Sequence, residues 1–198
     1  MRFIPTLTTL LIQNKPIGMK KISLILLAGL WICQASVAQT FTLKSNDVGG
    51  QATNKQFANV FGCSGENVSP QLSWENVPAG TQSFAVTIYD KDAPTGSGFW
   101  HWVVFNIPAT VTELKSGAGD VSKMLMPKEA VQSITDYGAP GYGGPCPPVG
   151  HGFHEYLVTV YALKSKLELD KNTSPAIVGF YANANALGKA SIVFYGKR

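Results

Sequence analysis

The chain has 198 residues, 45% hydrophobic and 14% charged, with 20 Gly and 12 Pro. That balance excludes a disordered or fibrous protein, and the length fits one domain with a dispensable terminus. The formal charge of +4 comes from the start of the chain, where Arg2, Lys15, Lys20 and Lys21 precede residue 39 with no acid among them. The remaining 12 Lys+Arg balance 12 Asp+Glu, so the rest offers no basic surface for nucleic acid.

In chain order, Met19-Lys20-Lys21 is a short positive start. Residues 22–32 form an apolar run, and small residues follow at Ser36 and Ala38. This is the pattern of a secretory signal peptide cut after Ala38. The run is shorter than the ~18–20 residues that span a bilayer, so the mature chain is read without a transmembrane span; an uncleaved anchor is the alternative. Trp31 and Ile32 are too bulky for a lipoprotein signal before Cys33. Translation is expected to start at Met19. Residues 1–38 are then extension and signal peptide, and residues 39–198 an exported domain, periplasmic or secreted. In an oxidising compartment Cys63 and Cys146 can form one disulfide. Two buried free thiols are the other reading.

Most of the mature chain reads as strands. Residues 41–43 and 71–75 alternate briefly. Residues 83–89 alternate strictly, with Phe84, Val86 and Ile88 on one face and Ala85, Thr87 and Tyr89 on the other. Residues 100–107 are rich in aromatic and β-branched side chains and stop at Pro108. Residues 156–163 and 191–195 are similar. One helix is predicted, with Ser174 as N-cap and Pro175 in its first turn. Its packing stripe is read as Ile177, Tyr181, Ala184 and Gly188, with Phe180 and Leu187 beside it. Residues 117–148 are loop-rich, and a long irregular stretch in a compact domain usually carries function. The pattern predicts a mostly antiparallel β-domain with peripheral helices.

Three segments carry chemistry. Asp90 and Asp92 stand at a strand end, projecting to one side if the chain stays extended, and Pro94 fixes the turn after them; an Ala-Pro bond can be cis. His101 opens the next strand, on the parity of Val103, Phe105 and Ile107. The Gly- and Pro-dense loop 142–152 leads to His154 and Tyr156, which share a face. Two acids, two imidazoles and a phenol from separate segments suggest one pocket.

These motifs carry a resemblance. Asp90-Lys91-Asp92-Ala93-Pro94, His101-Trp102-Val103-Val104-Phe105-Asn106-Ile107-Pro108, and Gly144-Pro145-Cys146-Pro147-Pro148 with His154-x-Tyr156 resemble the phosphatidylethanolamine-binding protein family. The likeness is greatest to its bacterial Raf-kinase-inhibitor-like branch, whose opening motif Asn67-Val68-Ser69-Pro70-Gln71-Leu72-Ser73-Trp74 resembles. It covers residues 41–198. The resemblance implies a central antiparallel β-sheet packed on a smaller sheet, with a C-terminal helix near the mouth of a small anion-binding pocket. It implies that the pocket takes phosphate-like groups and phospholipid headgroups. By motif position, Asp90, Asp92, His101, His154 and Tyr156 match pocket residues, Pro94 matches a position that is often cis, and Pro147 lies in the lining loop. A homodimer is an expectation by the same likeness. One departure is Glu155, where the family usually has Arg.

Carboxylates repel phosphate: two like charges at 4 Å cost ~4 kcal/mol at an effective dielectric near 20. The favoured resolution is that an Asp accepts a hydrogen bond from His101 or His154 and holds it protonated, with backbone N–H groups around Gly143 and Gly144 as further donors. A binding module without cofactor or metal is therefore expected, with regulation of a protein partner as one use. The alternatives are an inhibitor of a protease or kinase, and a metal-dependent or acid–base hydrolase using Asp90, Asp92, His101 and His154. The motifs of zinc proteases, serine hydrolases and phosphate loops are missing from the chain.

Overall fold

The structure is a computed structural model and describes residues 39–198. The signal-peptide reading, with its start at Met19 and cut after Ala38, lies outside the described residues. Eight strands and one long helix follow in order: β1 (Thr42–Lys44), β2 (Leu72–Glu75), β3 (Ser83–Asp90), β4 (Phe99–Pro108), β5 (Glu113–Leu114), β6 (Val131–Gln132), β7 (His154–Leu163), α1 (Pro175–Asn185) and β8 (Ala186–Gly196). They build a small sheet, β1-β2-β5, and a large one, β6-β4-β3-β7-β8. Every strand pair in both is antiparallel. This is the mostly β architecture expected.

The alternation along β3 sorts its side chains onto two faces. Phe84, Val86 and Ile88 join Leu72 and Trp74 of the small sheet in the main core. Ala85 faces the other way, with Val103, Phe105, Leu163 and the helix residues Val178 and Ala182. Each large apolar side chain buried this way contributes about 1.5–3 kcal/mol.

Strand β4 is irregular at two places, and both matter. Phe84 pairs Ile107 while Val86 pairs Val104, so β4 carries an extra residue there, where Asn106 has φ 56°. Ile88 pairs Trp102 while Tyr89 pairs Trp100, which leaves His101 as a second extra residue. A bulge inserts one residue, shifts the parity beyond it and re-aims a side chain. Simple alternation had put His101 with Val103, Phe105 and Ile107. Instead Ile107 lies in the main core, and the His101 ring packs edge-on against Tyr156 of that same core, centroids 5.1 Å apart.

Helix α1 starts where expected, at Ser174 with Pro175 in its first turn, although the Ser174 side chain makes no capping bond. Its buried face is not the predicted one. Pro175, Val178, Gly179 and Ala182 are buried, and Ile177, Phe180 and Tyr181 are exposed. The helix is apolar on several sides, so the stripe did not decide the face; the small residues lie closest to the sheet. It also ends earlier, and Leu187 and Gly188 already belong to β8.

Candidate functional site

A cavity of about 300 Å³ opens where β3 ends and β4 and β7 begin. Antiparallel pairing sets this corner: Asp90 is the last residue of β3 and pairs with Tyr156 of β7, and it also pairs with Phe99 of β4. His154 opens β7 and pairs with Gly196 of β8. The buried floor is Asp90, His101 and His154, each 3% exposed or less.

The hydrogen bonds set the protons. A carboxylate accepts, so His154 Nδ1–H donates to Asp90 Oδ2 at 2.7 Å. Asp90 Oδ1 accepts the Asp92 backbone N–H at 2.8 Å. The Nε2 of His154 lies 2.7 Å from Nδ1 of His151. With one proton on each imidazole, a continuous chain runs from buried Asp90 to exposed His151.

His101 is held differently. Its Nδ1–H donates to the Gly143 carbonyl at 2.7 Å, and Gly143 N–H returns a bond to the His101 carbonyl at 2.9 Å. Burial pushes the imidazole below the ordinary histidine range, and the Gly143 carbonyl and Asp90 only partly oppose this. His101 is therefore neutral, with Nε2 as its remaining ring nitrogen. Of the two imidazoles expected to donate to an Asp, only His154 does: the only carboxylate–imidazole hydrogen bond among the described residues is that of Asp90 with His154, and no carboxylate holds His101.

The expected backbone donors are also spoken for. Gly143 N–H goes to His101, and Gly144 N–H goes to Asn67 Oδ1 at 2.8 Å. Asn67 further donates from Nδ2 to the Tyr142 carbonyl at 3.3 Å, so the residue that opens the Asn67–Trp74 motif clamps the loop. The glycines are required by space. A Cβ on Gly143 would collide with the Tyr137 ring, and one on Gly144 with the Gln56 carbonyl.

Of the residues singled out in the sequence, Asp90, Pro94, His101, Pro147 and His154 line the cavity. The Ala93–Pro94 bond is trans, since the described residues contain no cis peptide. Asp92 does not line it. The chain turns after β3 instead of staying extended, and Asp92 accepts from Glu155 N–H and Lys91 Nζ, both at 2.8 Å. These contacts hold its carboxyl below the usual range, the Lys91 bond most. Tyr156 lies beneath the floor, fully buried, and its hydroxyl has no hydrogen-bond partner. Burial, and then the Asp90 carboxylate, push its pKa up. Helix α1 contributes no lining residue, contrary to the expectation that it stands at the mouth.

Several lining residues were not anticipated: Phe61, Thr95, Phe99, Tyr137 and Arg198. Phe61 stacks on Tyr137 with centroids 5.4 Å apart, and Tyr137 meets Phe99 edge-on at 5.0 Å. Cys63 and Cys146 are bonded, with Cα atoms 5.9 Å apart, and Cys146 forms part of the wall. Pairing of β7 with β8 brings Arg198 beside the start of β7; the antiparallel order of the last two strands is the signal that could have found it.

The family model described as phosphatidylethanolamine-binding protein matches residues 49–196. The UPF0098 protein YbcL of Escherichia coli is 48% identical over 165 residues, covering 82% of this chain and 90% of YbcL. The UPF0098 protein YbhB of the same organism is 46% identical over 153 residues, covering 76% of this chain and 96% of YbhB. The crystal structure of YbcL, described as a new member of the mammalian PEBP family, superposes with a TM-score of 0.79 over 81% of this chain and 99% of its own. On the match of fold, motifs and family model together, the chain belongs to the phosphatidylethanolamine-binding protein family.

Proposed function

We propose that the protein binds a small phosphate-type anion, free or as a phospholipid headgroup, and acts as an exported binding protein without a catalytic step. The observation that carries this reading is the cavity itself. It holds about 300 Å³ above a buried Asp90–His154 pair and the unprotonated Nε2 of His101, which accepts a hydrogen bond from the O–H of a monohydrogen phosphate group or takes up a proton with an anion. That volume is at the small end of ligand pockets. It suits a headgroup such as phosphoethanolamine and not a whole diacyl lipid.

The chemistry favours binding over turnover. Asp90 orients His154 as in an acid–base pair, but among the described residues lining the cavity no thiol or aliphatic hydroxyl is free to act as a nucleophile. Cys146 is bonded to Cys63, and the Thr95 hydroxyl is spent on the Gly98 carbonyl. Among the described residues no group of three or more His, Cys, Asp or Glu side chains is arranged to hold a metal ion. Export is supported by the leader pattern and by a disulfide within the domain. Among the described residues no helix is long and apolar enough to cross a membrane.

Calorimetric titration tests the reading with inorganic phosphate, phosphoethanolamine and dihexanoyl-phosphatidylethanolamine as separate probes. The wild-type protein takes up at least one, and His101→Ala abolishes the uptake. Binding of phosphoethanolamine with no response to the short-chain lipid assigns a soluble ester, and the reverse assigns the headgroup. Unchanged affinity in the His101→Ala protein would place the site elsewhere.

A further inference from the structure

The cavity as an anion site leaves one question of charge. Asp90 is a carboxylate on its floor and His101 is neutral, so neither of these offers a positive charge to a guest. One lining residue does. Arg198 reaches the cavity wall, and its Nη1 donates to the Gly62 carbonyl at 2.8 Å and contacts Cys63 Sγ at 3.3 Å. It makes no ion pair within 4.0 Å among the described residues. Among the residues lining the cavity it is the only lysine or arginine.

We propose that Arg198 is the counter-charge of the bound anion and engages two phosphoryl oxygens through its guanidinium fork. The inference rests on reading the cavity as an anion site and adds the residue that makes it attractive to one. A guanidinium carries five N–H donors in a plane. Two, both on Nη1, are engaged by the Gly62 carbonyl and Cys63 Sγ, and Nε and Nη2 keep the other three. Such a fork matches the paired oxygens of a phosphate group, which a lysine cannot do as a point charge.

The guanidinium is also held in place. Gly62 adjoins Cys63, which is bonded to Cys146 of the cavity wall. The bridge therefore fixes the carbonyl that anchors Arg198 relative to the cavity. Arg198 also borders a separate depression formed with Asn54, Phe57 and Ser64. Nothing there has charge or a free buried donor, so the cavity side is the one that uses the cation. The same phosphoryl chemistry comes from a soluble ester or a lipid headgroup, and the probes above separate the two.

The test uses the full exported chain as wild type, Arg198→Gln and Arg198→Lys, titrated with inorganic phosphate at two salt concentrations. A charge-assisted hydrogen bond at an exposed rim corresponds to about a tenfold change in affinity. Arg198→Gln is expected to bind phosphate about tenfold more weakly and to lose most of the salt dependence seen in the wild type. Arg198→Lys restores the salt dependence but only part of the affinity. Thermal melting checks the fold, which should hold because Arg198 is exposed and Gly62 can turn its carbonyl to water. Wild-type affinity in both variants, with His101→Ala inactive, overturns the role of Arg198 and leaves the anion site standing. If phosphoethanolamine or the short-chain lipid is the probe that binds, the same variants are titrated with it, and absence of binding of all three probes in the wild type overturns both.

Discussion

On the cavity floor, Asp90, His101 and His154 are almost fully buried and are placed by strand register and by the β4 bulge. At the rim, Phe61 is 69% exposed, and it and Arg198 are placed by a loop tied across 83 residues through Cys63 and Cys146. The floor therefore inherits its precision from the sheet, whose shape any change must strain. The rim inherits its precision from one covalent bond and a few contacts. Chemistry that must be exact belongs on the floor, and selection among guests can be adjusted at the rim with little cost to the fold.

Breaking the staple is the most severe test of that contrast. Replacing both Cys63 and Cys146 by Ser is expected to lower stability by about 3–4 kcal/mol, from the loop entropy returned to the unfolded chain. Urea denaturation reads the loss. In the protein that remains folded, the imidazole NMR signals of His101 and His154 should stay as in the wild type while phosphate binding weakens. Shifted imidazole signals would mean that the rim holds the floor, and that the two regions are one unit.

The next effect is on the floor. Asp90→Ala orphans the His154 Nδ1–H and the Asp92 N–H, and is expected to cost about 2–3 kcal/mol. Asp90→Asn keeps an oxygen for His154 but turns its amide N–H₂ toward the Asp92 N–H, and should cost less than the alanine but at least half as much. Denaturation of the two variants side by side measures this. An equal loss in both would show that the negative charge, and not the hydrogen bonds, holds the corner together.

Much of the floor could be read from the chain, because Asp90 and His154 end and begin strands whose alternation is plain. The motifs predict that they meet in one pocket but leave open which Asp accepts and which imidazole donates. The environment of His101 did not follow. A parity argument assumes an unbroken ladder, and the extra residues at His101 and Asn106 break it twice. Asp92 was placed in the pocket on the assumption of extended chain, yet the turn closed by the Asp92 N–H on Asp90 points it at Glu155. Phe61, Tyr137 and Arg198 were missed because loops and the final strand reach the cavity through tertiary contacts that leave no local pattern. Helix α1 shows the same limit. With apolar residues around most of it, periodicity gave a helix but not its buried face.

The smallest effect is the one that connects floor and guest. Burial holds the His101 pKa below its unfolded value of about 6.5. Above that value both states are neutral there and the group contributes nothing to the pH dependence. As pH falls below it, the unfolded chain takes the proton first, so the folded state loses about 1.4 kcal/mol per pH unit until the lower folded pKa is reached. His101→Gln removes this contribution. Between pH 7.5 and 5.5 the wild type should therefore lose more stability than the variant, by at most about 1.4 kcal/mol, read by chemical denaturation at both values. Saturating sulfate, which keeps both charges over this range, should shrink the difference. An anion beside Nε2 favours the protonated ring and raises its folded pKa toward the unfolded one. The same linkage requires that sulfate binds the wild type more tightly as pH falls. Identical acid slopes for wild type and His101→Gln would show that the ring titrates as freely inside the cavity as in water, and the floor would then have no neutral imidazole for a guest to charge.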